Sequence, residues 1–214
     1  MKKKVLDILI LIIWIILLIF TLLVCFMDVR VHEVTNTSIG LYSLNKLFLL
    51  NESSRFNNII GTISNILLIF CLFIILTRLF LMTYDYFKMR KISKTNINFV
   101  AHFLIMIIIW IIFDKIFIIN YRPILINGNV EGSYPSTHVM VCTFILLFIA
   151  YKFKNVFKNN KIFYIIVIGL IIIQCIARLF LLMHWFTDVI GGLLIGTLLF
   201  FTFLRGEYGA SNNI

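Results

Sequence analysis

The sequence predicts an all-α integral membrane protein, a six-transmembrane-helix bundle with a short extracytoplasmic amphipathic helix. Three observations carry that prediction. Of 214 residues, 62% are hydrophobic and only 13% charged, with a mean hydropathy of +1.06, far outside the composition of soluble domains. The apolar residues gather into runs long enough to cross about 30 Å of hydrocarbon. The only two prolines, Pro123 and Pro135, both fall in a central polar segment, so the runs contain no proline break.

The first run, Val5–Met27, follows Lys2, Lys3 and Lys4. It resembles a signal peptide, but its apolar part is too long and no small-x-small cleavage site follows, so an uncleaved first span is expected. Residues 28–58 form the longest polar excursion. Within it Leu41, Leu44, Phe48 and Leu49, with Leu47 and Leu50 beside them, recur near helical spacing. That pattern predicts a short amphipathic helix on the outer membrane surface, either guiding a lipid or capping the bundle. Ile59–Tyr84 and Phe99–Asn120 are the second and third spans. Thr137–Tyr151, shorter and extended by preceding polar residues, is the fourth; Ile162–Leu182 and Trp185–Leu204 are the fifth and sixth. The chain reads as a single membrane domain over 1–214, with a motif-bearing core at 99–204 and a short tail at 205–214, disordered from Glu207.

Basic residues set the orientation. Lys2–Lys4, then Lys88, Arg90, Lys91 and Lys94, then Lys152, Lys154, Lys158 and Lys161, and finally Arg205 hold 12 of the 19 basic residues. With an even number of spans these four segments share one side, which the positive-inside rule makes cytoplasmic. A bacterial inner membrane is the expected setting. Basic loops facing anionic headgroups also account for the net charge of +10 without a nucleic-acid partner. The sequence names no protein partner. Cys25, Cys71, Cys142 and Cys175 are isolated, with no metal or disulfide spacing, and read as free packing residues.

Three polar clusters fall on the opposite side, each at the end of an apolar run. The first runs from Lys115 to Arg122 and Pro123. Seven residues are nearly two helical turns, so both cations are expected on one face, with the span ending at the residue before proline. Lys and Arg suit phosphate oxygens; alternatively the two snorkel to headgroups. Asp114 is expected on another face. The second cluster is Pro135, Ser136, Thr137 and His138. Ser136 or Thr137 can cap a helix whose free N–H groups favour an anion, although alone the pattern fits an ordinary turn and cap. The third is Arg178, His184 and Asp188. His184 and Asp188 are one helical turn apart, a spacing at which a carboxylate can orient an imidazole for nucleophilic attack. An isolated pair of this kind is more often a buried structural contact; Arg178, a further cation for phosphate, shifts the balance toward chemistry. His102, inside the third span, reads as a packing or interhelical hydrogen-bonding residue, and His32 lacks polar company.

In this order and at these spacings, the three clusters resemble the type 2 phosphatidic acid phosphatase family, which includes glucose-6-phosphatase and the soluble vanadium haloperoxidases. The resemblance covers Lys115 to Asp188, about a third of the chain. It implies a metal-independent phosphatase, with no cofactor, acting on a membrane lipid phosphate in the bilayer. His184 would attack phosphorus and Asp188 would orient it. His138 would protonate the leaving oxygen, and Lys115, Arg122, Ser136, Thr137 and Arg178 would surround the phosphoryl oxygens. Two positions depart from the family pattern: Thr137 stands where glycine is usual, and Ala177 where serine usually precedes the arginine. Phosphatidate, phosphatidylglycerophosphate and polyprenyl diphosphates such as undecaprenyl diphosphate all remain eligible substrates. A phosphotransferase of the same fold is the alternative. A transporter is disfavoured, because the polar residues cluster at one face and not along a path.

Overall fold

The computed structural model describes residues 3–49, 54–89, 92–153 and 160–211. Lys2, Leu50, Arg90, Lys91, Lys154 and Lys158, used above for orientation and amphipathicity, lie outside the described residues. The elements follow in order as α1 (Lys3–Phe26), β1 (Arg30–His32), β2 (Thr37–Ile39), α2 (Tyr42–Leu47), α3 (Ser54–Tyr84), α4 (Lys94–Ile111), α5 (Thr137–Phe153), α6 (Asn160–Phe180) and α7 (Phe186–Ser211). Five helices are long and apolar enough to cross a membrane, and α5 is a shorter apolar helix of 17 residues. The protein is thus a multi-pass membrane protein whose six long helices fall on the six predicted runs.

α5 can be short because other helices, not lipid, surround it. Ten of its side chains are buried, among them Val139, Met140, Phe144, Ile145 and Phe148. It packs most extensively on α7, then on α6 and α3. Close approach to α7 rests on two glycines: a Cβ at Gly192 would lie 2.6 Å from the Ser136 carbonyl oxygen, and one at Gly196 2.7 Å from that of Met140. Small residues at such contacts let membrane helices interlock. Phe99, Phe144, Phe148 and Phe203 fill the core between α4, α5 and α7.

The segment after α1 is more structured than its polarity suggests, and two expectations, the end of the third span and the tail, are corrected. Residues 30–39 form a two-stranded antiparallel hairpin, pairing Arg30 with Ile39 and His32 with Thr37. The expected short helix is the six residues of α2, and it docks on α7, as the capping alternative has it. The cause is polar: Asn45, fully buried, donates to the Gly40 carbonyl and the Thr187 hydroxyl and accepts from the Thr187 N–H. The third span ends earlier than Asn120, in a π-helical turn over Ile112–Ile116. Finally, the expected tail is helical through Ser211, because Glu207 accepts hydrogen bonds from Thr95, Asn98 and Lys152.

The bundle has two unlike ends. At one, Arg205 pairs with Asp7, Lys152 with Glu207, and Asn96 bridges Arg78 and Asp85. At the other, the hairpin, α2, residues 117–136 and the turn at 181–185 converge. His102 hydrogen-bonds across to Thr202 of α7 at 3.1 Å, the interhelical role expected of it.

Candidate active site

Three segments build the site: the loop after α4, the N-terminus of α5, and the turn between α6 and α7. A hydrogen-bonded floor holds them in register. Asn120, wholly buried, donates to the Asp188 carboxylate at 3.1 Å and the Thr187 hydroxyl at 3.2 Å, and accepts from the Gly40 N–H at 3.1 Å. The Ser133 N–H donates to the Asn120 carbonyl, and the Ser136 N–H to the Asp188 carbonyl, both at 2.9 Å. The Trp185 indole donates to the Tyr121 carbonyl, and buried His32 donates to that of Pro123 while meeting the Trp185 ring edge-on. The Tyr134 phenol bonds Thr21 of α1, and burial pushes its pKa up to about 12.

His184 stands in the turn before α7, not on a helix. Its Nδ1 donates to the Ser133 carbonyl at 2.9 Å, while Asp188 Oδ2 is 3.8 Å away, outside hydrogen-bond range. The expected helical His–Asp hydrogen bond is therefore replaced. Asp188 instead serves the helix N-terminus: its Oδ2 accepts the Trp185 N–H at 2.9 Å, in the manner of a capping box, and no part of it is exposed. With Nδ1 committed to a carbonyl, the neutral ring presents its unprotonated Nε2. Burial holds the His184 imidazole below its ordinary pKa range, and the Arg178 and Arg122 charges act in the same direction, outweighing the Asp188 carboxylate.

A cavity of about 300 Å³ gathers Arg122, Ser133, Thr137, His138 and His184, with Leu68, Leu72 and Val141 as apolar wall. Ser136 and Arg178 are buried beside it, and Ser136 Oγ and Arg178 Nε have no hydrogen-bond partner among the described residues. Ser136 occupies the N-cap position of α5, its carbonyl accepting the Met140 N–H at 3.0 Å, but its hydroxyl caps nothing. Arg122 lies 3.1 Å from Glu131 Oε2 and donates to the Met183 sulfur at 3.2 Å.

Lys115 is placed differently from the expectation. The π-helical turn and the irregular chain after it break the two-turn relation to Arg122. Lys115 pairs with Asp114 at 2.8 Å, its side chain 70% exposed, and faces a neighbouring cavity. Asp114, expected elsewhere, lines both cavities. Asn45, Asn120 and the Ser133 carbonyl were not singled out from the sequence, because a neutral amide and a backbone oxygen carry no motif; only their burial at intramembrane ends marks them. Among the described residues no group of three or more His, Cys, Asp or Glu side chains could hold a metal ion.

The arrangement can therefore accept a tetrahedral oxyanion among guanidinium, hydroxyl and imidazole groups. The chain is also similar to known proteins. Residues 98–210 match the family model described as the PAP2 superfamily. The solved structure of a transmembrane PAP2 type phosphatidylglycerolphosphate phosphatase from Bacillus subtilis is similar, with a TM-score of 0.64 and 18% identity over 96% of each chain. Aquifex aeolicus LpxE is similar at a TM-score of 0.51 and 15% identity, over 77% of this chain and 94% of that one. No curated protein matches the sequence.

Proposed function

The chain belongs to the PAP2 superfamily, and from that premise we propose that it is a metal-independent lipid phosphatase working through a phosphohistidine. The observation that carries the reading is His184, whose Nδ1 is fixed by the Ser133 carbonyl so that Nε2 opens on a cavity shared with His138 and Arg122. Nε2 attacks phosphorus, the P–O ester bond breaks, and His138 gives its proton to the departing oxygen. His138, now neutral, takes a proton from water, whose oxygen displaces His184 and releases inorganic phosphate. Arg122, Arg178, Ser136 and Thr137 hold the phosphoryl oxygens as charge spreads over them. Ser136 Oγ and Arg178 Nε, both buried and without partners among the described residues, are donors in want of an acceptor, which a phosphate would supply. Lys115 joins them when its exposed side chain leaves Asp114. Asp188 acts as a positioning residue through the turn that carries His184.

The enzyme sits in the cytoplasmic membrane with this end of the bundle outward, and the Leu68–Leu72 wall of α3 gives a lipid lateral access. The description of the Bacillus subtilis relative as a phosphatidylglycerolphosphate phosphatase makes that lipid the first to try. Purified protein in detergent should release phosphate from at least one lipid phosphate, retain that activity in excess chelator, and lose it to vanadate, which mimics the five-coordinate phosphoryl group. Activity abolished by chelator and restored only by a divalent ion would overturn the reading.

A further inference from the structure

Beside the cavity of His184 and His138 lies a second one of about 430 Å³, lined by Trp110, Asp114, Lys115, Arg122 and Glu131. Trp110, Asp114 and Arg122 belong to both, so the two spaces meet there. Their charge is unlike. In the second cavity each cation already has its carboxylate, Lys115 with Asp114 at 2.8 Å and Arg122 with Glu131 at 3.1 Å. Beside the first, Arg178 is buried and, among the described residues, makes no ion pair with a carboxylate. Uncompensated positive charge thus lies deep, while the adjoining cavity is neutral and contains two carboxylates. The remaining wall of the first cavity, Leu68, Leu72 and Val141, offers nothing to an anion.

Resting on the lipid-phosphatase reading, we propose that the site selects phosphate monoesters over diphosphates, and that Asp114 and Glu131 make the second cavity a subsite for a neutral, hydroxyl-bearing group next to the phosphate. A second phosphate would bring further negative charge beside two carboxylates. Lys115 and Arg122 already serve the first phosphate, so a second one would meet Asp114 and Glu131 without their cations. Hydroxyl groups carry no such penalty. They donate to the carboxylates and add no charge.

The test uses the purified full-length protein in detergent micelles with phosphatidylglycerophosphate, phosphatidate and farnesyl diphosphate, in the wild type, Asp114→Asn and Glu131→Gln. For the wild type, kcat/KM should be at least about tenfold lower on the diphosphate than on the glycerol-bearing lipid, the scale of one like-charge contact in a partly desolvated site. Each substitution should raise the diphosphate value and lower the glycerol-lipid value, so that their ratio moves by several-fold. Thermal unfolding in detergent reports whether each variant is folded, and phosphatidate, with no group in the subsite, is the reference against which the other two values are read. A wild type that prefers the diphosphate, or a ratio unmoved in the exposed-loop variant Glu131→Gln, would overturn this inference while leaving the phosphatase reading intact. Failure to hydrolyse any of the three would overturn both.

Discussion

His184 owes its availability to the Ser133 carbonyl, 51 residues away in sequence, which accepts a hydrogen bond from its Nδ1–H at 2.9 Å. His184→Ala should therefore abolish phosphate release while leaving a folded, inserted protein, and near-normal release would refute the nucleophile. Asp188→Asn is expected to behave differently. Both carboxylate oxygens are acceptors, one from Asn120 and one from the Trp185 N–H, and an amide can satisfy only one of them. Stability in detergent should fall by about 1–3 kcal/mol, the cost of a buried donor without a partner, with activity reduced but detectable. The acid limb of the pH profile belongs to the same residue. Burial holds the folded-state pKa of His184 low, so Nε2 stays unprotonated and nucleophilic below the ordinary value of about 6.5. The acid limb of kcat/KM in the free enzyme should have its midpoint below that value. Stability has the same sign: the unfolded chain binds this proton more readily, so stability declines as pH falls below about 6.5 toward the folded-state value. A limb centred above pH 7 would contradict the neutral, buried imidazole.

At the scale of elements, the site depends on how closely α5 and α7 approach, because Ser136 and His138 ride on one and the turn bearing His184 leads into the other. Gly192 sits at that contact, where a Cβ would come within 2.6 Å of the Ser136 carbonyl oxygen, whereas one at Gly169 of α6 would meet nothing within 4 Å. Gly192→Ala should cost about 1–3 kcal/mol of stability through overpacking and depress activity at least as much. Gly169→Ala should leave both unchanged. Thermal unfolding and phosphate release of the two variants side by side decide the point, and equal effects would mean that helix flexibility, not close packing, is what Gly192 supplies. α2 illustrates the reverse lesson. Its leucines read as a surface helix, yet Leu47 remains 80% exposed while Asn45 is fully buried, so the segment docks through the Asn45 amide and through Phe48, whose ring stacks on Phe186 with centroids 4.0 Å apart.

For the whole molecule, the decisive property is sidedness. The site end and the basic end of the bundle are opposite, and the proposed orientation, from the bias of the basic residues, puts the latter in the cytoplasm. After replacement of Cys25, Cys71, Cys142 and Cys175, a single cysteine at exposed Asn129 should react in intact cells with a membrane-impermeant maleimide, and one at exposed Ser93, before α4, should not. The reverse pattern would put the chemistry inside and exclude an outer-leaflet substrate. Asn155, the other natural choice for the inner side, lies outside the described residues.

By itself the sequence determined the membrane class, the six long helices and four of the polar residues that face the cavity, because span length, charge bias and the identity of titratable side chains are properties of the chain read locally. His138, His184, Arg122 and Thr137 could be named in this way, and the structure brings them to one cavity. Only the tertiary structure decided how they are held. The partner of His184, the capping role of Asp188, the diversion of Lys115 to Asp114 and the Asn45 and Asn120 contacts all join segments distant in sequence. Their common physical reason is that buried backbone and amide groups must find partners where water is absent. Which partner each finds depends on neighbours that no local pattern can specify.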